Sequence, residues 1–484
     1  MSNPFRYSPP TEDDEGEKFI CHACVGEPLL KMEIKRQGTV QTCAYCAKTN
    51  HRCVLVKAFA ERIDEVYSTV IRLAEETPEV YEESDRVSWV RNGDYPGALV
   101  VELVEGADDR IGDDVIEALS DLNWSFDDDF DWYDTSNDAY AIAIPDDPQY
   151  QDAWREFCHS VKHERRFFST VGKARLDEIF GPILTGKDLG GVKAIRTIGP
   201  ESDDRFVVRG RLGNLPSERE AIYASPIKQL GPPPADKASA GRMNPAGISV
   251  FYGSFEPDTC VAELRAPVGG TAVVGTFEII RPLRILDLTV LEDARNRLSW
   301  FDAEFFKMDN YTRFIRGFHN EIKRSVIPGS EHLEYLPTQV VAEYLWTHSR
   351  HAVDGLIFGS SQLTDGNPKN IVIFPPACAV EGAATEGKLQ VSRLTVSTDN
   401  DDDDRDDLAR VVSEVVLVGG RAEPPANPDW SSAMHFGGFD DPPPAPAASL
   451  KLNLASIQRV SVSGISYKTA SIPASYREEI DHDF

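Results

Sequence analysis

The chain has 484 residues, 41% hydrophobic and 27% charged, with 79 Asp and Glu against 50 Lys and Arg for a net charge of −29. Such a length holds two or three domains with ample core, and the acidic balance disfavours nucleic acid or an anionic membrane surface as partner, since both recruit basic residues. The sequence has neither a run of 18 apolar residues nor an apolar signal-peptide stretch, so a cytoplasmic location and reduced cysteines are expected.

In chain order, residues 1–18 are polar and acidic and read as a disordered leader. Cys21-His22-Ala23-Cys24 and Cys43-Ala44-Tyr45-Cys46 follow, 18 residues apart. Two such pairs predict a tetrahedral thiolate site for a structural Zn2+ held by Cys21, Cys24, Cys43 and Cys46. His22, His51 and Cys53 stand near enough in sequence to replace one ligand. Four thiolates close the coordination sphere, so the metal is expected to be structural and not catalytic.

From Lys57 to Leu73 the positions Phe59, Ile63, Val66, Tyr67, Val70 and Leu73 share one helical face. Residues 98–104 suit a strand or a helix equally. Residues 107–134 are strongly acidic, with Asp127-Asp128-Asp129 set among Trp124, Phe126, Phe130, Trp132 and Tyr133. Residues 148–180 look helical, ending near Phe180-Gly181-Pro182. Residues 19–190 thus read as a mostly helical accessory domain with a zinc-ribbon-like site.

A second, α+β domain is expected over 195–383. Short apolar runs bounded by Gly, Pro or charge predict strands at Ile248 to Tyr252, Thr276 to Ile280, Ile285 to Leu288, Gly355 to Phe358 and Ile371 to Phe374. Asp258 or Thr259 is placed to cap a short helix carrying Glu263. Residues 300–325 have a helical pattern, as do Thr338 to His348 behind Pro337. Residues 384–448, with the acidic run Asp399 to Asp407 and the cluster Pro442-Pro443-Pro444, read as a mobile insertion. Residues 449–484 return to strand-like alternation at Leu450 to Leu454 and Val460 to Tyr467, rejoining the domain before a tail.

Within this domain one Arg, one Tyr, one Glu and a pair of Ser come from separate elements: Arg242, Tyr252, Glu263, and Ser360 with Ser361. Such a set suits a small charged ligand. Arg offers a planar donor fork for phosphate, Tyr a stacking face, Glu a charge for a developing sugar cation, and Ser a hydroxyl.

In order and spacing, Arg242, Asn244, Gly247, Tyr252, Glu263 and Ser360 resemble the motif of the RES domain, a family found among bacterial toxins of toxin–antitoxin systems. The resemblance spans roughly residues 205 to 380. It departs at Gly359, where the family often has Pro before the Ser, so that either Ser360 or Ser361 can be the active one. Residues 19–190 resemble, in their Cys pairs and in Lys162 to Phe168, the HEPN-related domain that often precedes a RES domain.

The resemblance implies an ADP-ribosyltransferase-like fold with central β-sheets, NAD+ as a consumed substrate, and a cognate antitoxin or regulatory protein as partner; a homo-oligomer is also open. The implied reaction is cleavage of the nicotinamide–ribose bond by hydrolysis or phosphorolysis, or transfer of ADP-ribose to a target. Arg242, Tyr252, Glu263 and Ser360 would be the catalytic residues, with Asn244, Gln339 and Ser361 joining Arg242, Tyr252 and Ser360 in holding NAD+.

Two readings compete. The domain can instead be an NAD-binding module that acts only with a partner. A HEPN-type ribonuclease is disfavoured, because Arg155 and His159 have three residues between them where that motif has four to six. Other chemistries lack their motifs. There is no Gly-x-Ser-x-Gly elbow, dinucleotide-binding glycine loop or Walker loop, and the run from Asp399 fails the calcium-loop pattern at Asp404 and Arg410.

Overall fold

A computed structural model describes residues 17–81, 86–123, 139–166, 169–324, 326, 329–348, 350–363, 366–383, 390–391, 417–418 and 447–465. The chain divides into two units, one of Met1–Ala153, Leu189–Gly191 and Ala294–Arg316, the other of Trp154–Asp188, Val192–Asp293 and Gly317–Phe484. Residues 154–188, grouped by sequence with the N-terminal domain, thus fall in the second unit.

In the first unit β1 (Phe19–Cys21), α1 (Pro28–Gln37), β2 (Thr39–Gln41) and β3 (His51–Leu55) form a small antiparallel sheet, order β1-β3-β2, with one helix. Lys18, assigned to the leader, donates to Asp114 at 2.6 Å and its carbonyl accepts from Val56 N at 2.9 Å. The rest of the leader lies outside the described residues.

Helix α2 (Val56–Val70) buries Phe59, Ile63, Val66, Tyr67 and Val70, the face that the apolar spacing predicts. Leu73 instead ends a short strand, β4 (Ile71–Leu73), because the chain turns extended at Ile71 (φ −83°, ψ 129°). Next come the hairpin of β5 (Glu76–Tyr81) and β6 (Arg86–Arg91), then α3 (Pro96–Val104), α4 (Arg110–Asn123), and β7 (Tyr140–Ile142), which pairs with β4. Residues 98–104 are helix: Pro96 presets the first turn, and Leu99, Val100, Leu103 and Val104 are buried at helical, not alternate, spacing. Each such buried side chain contributes roughly 1.5–3 kcal/mol. The aromatic cluster from Trp124 to Tyr133 lies outside the described residues.

The segment 148–180 forms two helices, α5 (Gln149–His163) and α6 (Thr170–Leu184), the second capped by Ser169, whose hydroxyl accepts from Gly172 N at 3.0 Å. Then follow β8 (Ile195–Ile198), β9 (Phe206–Leu212), α7 (Pro216–Ala224), α8 (Pro226–Leu230), β10 (Phe251–Ser254), α9 (Pro257–Glu263), β11 (Thr271–Ile279), β12 (Leu283–Asp287), α10 (Phe305–Lys323), α11 (Glu331–Glu334), α12 (Leu336–Thr347), β13 (Gly355–Gly359), β14 (Lys369–Ile373), the short pair β15 (Gln390–Val391) and β16 (Leu417–Val418), and β17 (Leu450–Ser461).

Eight of these strands form one mixed sheet, order β17-β11-β9-β10-β14-β13-β12-β8, in which β12 and β13 run parallel and the other pairs antiparallel. The protein is therefore a mixed α+β fold. Apart from β15 and β16, residues 384–446 and the stretch beyond Ile465 lie outside the described residues. No helix among the described residues is long and apolar enough to cross a membrane.

Period-2 alternation divides the central strands between core and site. Phe251, Ile357, Ile371 and Ile373 join one apolar cluster. On the other face β10 pairs Ser254 with Asn370 and Tyr252 with Val372, while β13 pairs Phe358 with Asn370. The residues that come to border a cleft are thus the alternate partners of core residues.

Candidate functional site

The cleft on that face has a volume of about 350 Å3, and its lining includes Arg242, Tyr252, Ser254, Glu263, Arg265, Lys323, Tyr335, Phe358, Ser361 and Asn370. Among the described lining residues Glu263 is the one carboxylate, beside four cationic side chains, Arg209, Arg242, Arg265 and Lys323. A cationic pocket in a chain of net charge −29 is a local feature, and its charge suits an anionic ligand.

Glu263 is the last residue of α9, a helix that begins behind Glu256 with Pro257 in its first turn. Asp258 and Thr259, expected as caps, lie inside the helix; the Thr259 hydroxyl donates back to Glu256 Oε2 at 3.2 Å. The chain leaves the helix sharply through Arg265, which holds φ at +51°. That left-handed conformation is unusual for a side chain larger than Asn and stores strain beside the cleft. The Glu263 carboxylate stands exposed and is fixed by two donors, Ser360 Oγ at 2.6 Å and Asn370 Nδ2 at 2.7 Å, both on Oε1. Oε2 has no partner among the described residues. Asn370 is in turn oriented by Ser254, whose hydroxyl donates to its Oδ1 at 2.7 Å, and both are buried.

Arg242 is held by the C-terminal turn of α10. Its Nη1 donates to the carbonyl of Ile322 at 2.9 Å, and its Cζ lies 5.2 Å from the centre of the Tyr335 ring. Desolvation lowers the guanidinium pKa from its ordinary value, against the pull of Tyr335 and Glu263. Neither contact neutralises the charge, so Arg242 keeps a full positive charge for an anion.

Tyr252 presents its ring to the cleft but sends its hydroxyl inward. The hydroxyl oxygen accepts from Met243 N and its proton goes to Asn244 Oδ1, each at 2.9 Å. Burial pushes the phenol pKa well up, so Tyr252 serves as a surface and not as an acid. The tight packing requires Gly241, where a Cβ would come within 2.6 Å of Asn244 Oδ1 and 2.7 Å of the Tyr252 hydroxyl.

Asn244 and Gln339, expected to touch the ligand, stand behind the cleft. Asn244 is 4% exposed, and its amide donates to the carbonyls of Ser239, Pro245 and Ile248. Gln339 donates to the Gly241 carbonyl at 2.8 Å. Both direct their amide N–H donors to carbonyls of the loop around Arg242, which satisfies otherwise orphaned backbone groups. Ser360 and Ser361 divide the expected role: the Ser360 hydroxyl reaches Glu263, while Ser361 borders the cleft and its hydroxyl accepts from Gln362 Nε2 at 3.4 Å.

Sequence reading missed two residues. Asn370 stands just before the apolar run Ile371 to Phe374 that reads as a strand; the structure extends that strand back to Lys369 and so takes in the lone amide. Arg209 lies behind Tyr252, where its Nη1 donates to the Tyr252 carbonyl at 2.7 Å and its Cζ lies 5.1 Å from the Phe251 ring centre. Burial lowers its pKa to about 10.

A second cluster lies in the first unit. The sulfurs of Cys21, Cys24, Cys43 and Cys46 all lie within 4.8 Å of one another. The Cys21–Cys24, Cys21–Cys46 and Cys24–Cys43 separations are 3.7, 3.6 and 3.8 Å. A tetrahedral site with metal–sulfur bonds of about 2.3 Å has sulfur–sulfur edges of about 3.8 Å, so the four are spaced to hold a metal ion. Burial pushes the Cys21 and Cys24 thiols up, which a cation would reverse by stabilising the thiolates. His51 Nδ1 lies 3.4 Å from Cys21 Sγ, placed to support that sulfur, and Cys53 donates instead to the Gln41 and His51 carbonyls.

Two families match this chain: the RES domain over residues 217–392 and the HEPN/RES N-terminal domain 1 over residues 36–175. No curated protein matches it. Both matches stand in the order that the Cys pairs and the Arg242–Ser360 motif suggest: the chain carries a RES domain preceded by a HEPN/RES-type N-terminal domain.

Proposed function

We propose that the second unit is an ADP-ribosyltransferase-like RES domain whose cleft cleaves NAD+ at the nicotinamide–ribose bond. The observation that carries this reading is Glu263, an exposed carboxylate fixed through Oε1 by Ser360 and Asn370, with Oε2 left over, in a cleft it shares with Arg242, a cation that has no ion pair among the described residues. Arg242 binds the pyrophosphate. The Tyr252 ring stacks on the nicotinamide or its ribose. Glu263 Oε2 accepts from a ribose hydroxyl and stabilises the oxocarbenium-like charge that grows as nicotinamide leaves, an interaction strongest at the transition state. Ser360 holds Glu263 in that orientation, and Ser361 is available to the ligand. With water as acceptor the products are nicotinamide, ADP-ribose and a proton.

The four-thiol cluster takes a structural Zn2+, which its cysteine-only donor set and tetrahedral edges suit. All eight cysteines are free, which fits a reducing cytoplasm, where NAD+ is also abundant. Family membership supports a toxin or defence effector restrained by a protein antitoxin.

The test is nicotinamide release from NAD+ by the purified chain and by Glu263→Gln. Release by the wild type and its loss in the folded variant are expected. Turnover of the variant at the wild-type rate sinks the assignment, and NAD+ binding with no release by the wild type favours a partner-dependent module.

A further inference from the structure

His319 is 2% exposed on α10, outside the residues that the cleft chemistry uses, yet both ring nitrogens are engaged. Nε2 lies 2.9 Å from Gly359 N, and Nδ1 lies 2.7 Å from Glu292 Oε1. A backbone N–H can only donate, so Nε2 must be the bare nitrogen. The ring proton therefore sits on Nδ1 and is donated to Glu292. Gly359 ends β13, and the next residue is Ser360, which donates to Glu263. Two hydrogen bonds thus tie Glu292 through His319 to the Gly359 N–H, and the backbone carries that anchor one residue on to the serine that orients the cleft carboxylate.

The residue at 359 is fitted to this contact. A Cβ there would stand 3.1 Å from His319 Cε1 and 3.2 Å from Nε2, and a proline would remove the donor. We propose that His319 is a positioning residue: as a neutral Nδ1–H imidazole it anchors the end of β13 and so fixes Ser360 against Glu263, and its protonation releases that anchor. The proposal rests on the reading of the cleft only for its effect on turnover; the anchor itself does not.

Imidazolium would carry a proton on Nε2, facing the Gly359 N–H donor to donor. The charged groups around the ring are Glu292 on the 3-10 turn Thr289–Asp293, Lys323 on α10 and Asp287 on β12. Glu292 and Asp287 favour the charged ring, whereas burial, the largest influence, and Lys323 oppose it, so the balance holds His319 neutral. Lys323 also donates to Glu292 Oε1 at 3.3 Å, occupying part of the carboxylate charge that would otherwise favour imidazolium.

The experiment pairs amide-exchange protection at Gly359 with nicotinamide release, over a pH series, in the full-length wild type, His319→Gln and His319→Phe. Gln keeps an acceptor that cannot be protonated; Phe keeps the volume and removes the acceptor. Wild-type protection, corrected for intrinsic exchange, is expected to fall as His319 protonates, with kcat falling alongside and KM nearly constant. His319→Gln should keep both at low pH, and His319→Phe should show, independent of pH, about tenfold less protection than the wild type has at neutral pH, the value of one hydrogen bond. Wild-type protection in His319→Phe, or an unchanged acid limb in His319→Gln, overturns the proposal. If His319→Phe does not fold, 15N shifts of the wild-type ring decide it: an Nε2–H tautomer or an imidazolium at neutral pH overturns it. Absence of nicotinamide release in the wild type condemns the reading of the cleft, while the protection series still decides the anchor.

Discussion

Ser360 and Glu263 stand 97 residues apart in sequence and meet through a 2.6 Å hydrogen bond from the serine hydroxyl to Oε1. One comes from the end of a strand and the other from the end of a short helix, so the pair exists only in the folded sheet. The serine acts on the carboxylate more directly than on any ligand, and this sets its expected mutational signature.

Glu263→Gln keeps the volume and both hydrogen bonds within reach while removing the charge. Nicotinamide release is expected to fall about 100- to 1000-fold with an unchanged melting temperature, the usual loss for one oriented transition-state group. A drop in melting temperature parallel to the loss of activity would mean a structural role.

Asn370→Ala removes the bridge between Ser254 and Glu263 and leaves a buried hydroxyl without its acceptor. A destabilisation of about 1–3 kcal/mol by denaturant titration is expected, with a fall in kcat. Ser360→Ala, at a less buried site, should lower kcat with little change in stability. Equal destabilisation by the two would contradict this division.

Tyr252→Phe retains the ring and removes the hydroxyl from its partners Met243 N and Asn244 Oδ1. Stability should drop by about 1–3 kcal/mol while KM stays near wild type. Tyr252→Ala should raise KM as well. A changed pH optimum in Tyr252→Phe would point instead to proton transfer by the phenol.

Metal analysis of the purified protein should return one zinc per chain, lost in Cys24→Ser. Chelator should lower the melting temperature of the full chain, because binding energy at such a site is folding energy. Full activity and an unchanged melt after complete metal removal would show that the thiols serve another purpose.

His319 also makes stability depend on pH. Its folded pKa lies below the ordinary value of 6.5, so the unfolded chain binds the proton more readily. Its stabilisation is fully present above pH 6.5 and is lost as pH falls from there toward the folded value. Denaturant titrations of the wild type and His319→Gln should therefore diverge in that window, the wild type losing stability faster. Parallel curves would show that the ring does not change charge there.

Strands β10 to β14 were legible, if not to the residue, because short apolar runs bounded by Gly, Pro or charge are a local signal, whereas β8 and β9 were not read. The order of Arg242, Tyr252 and Glu263 around one strand survives into the cleft. The division of labour was not legible. Asn244 and Gln339 carry the same amide groups whether they face a ligand or the backbone of their own loop, and only the packing of that loop decides. Asn370 becomes interpretable once register places it between Ser254 and Phe358. Residues 98–104 lacked periodicity enough to choose between helix and strand, and it was Pro96, outside the run, that set the first helical turn.

The eight-stranded sheet places β17 at its margin beside β11, and that neighbour ends at Ile279, about 170 residues earlier. On the ribosome, at about 5–20 residues per second, roughly ten to thirty seconds separate the two strands. Through that interval the outer backbone groups of Thr271 to Ile279 have no ladder partner, the condition under which strands recruit foreign ones. The strand that finishes the sheet is therefore the last to be made, and a chain truncated before Leu450 would expose a sticky margin even with Arg242, Glu263 and Ser360 all present.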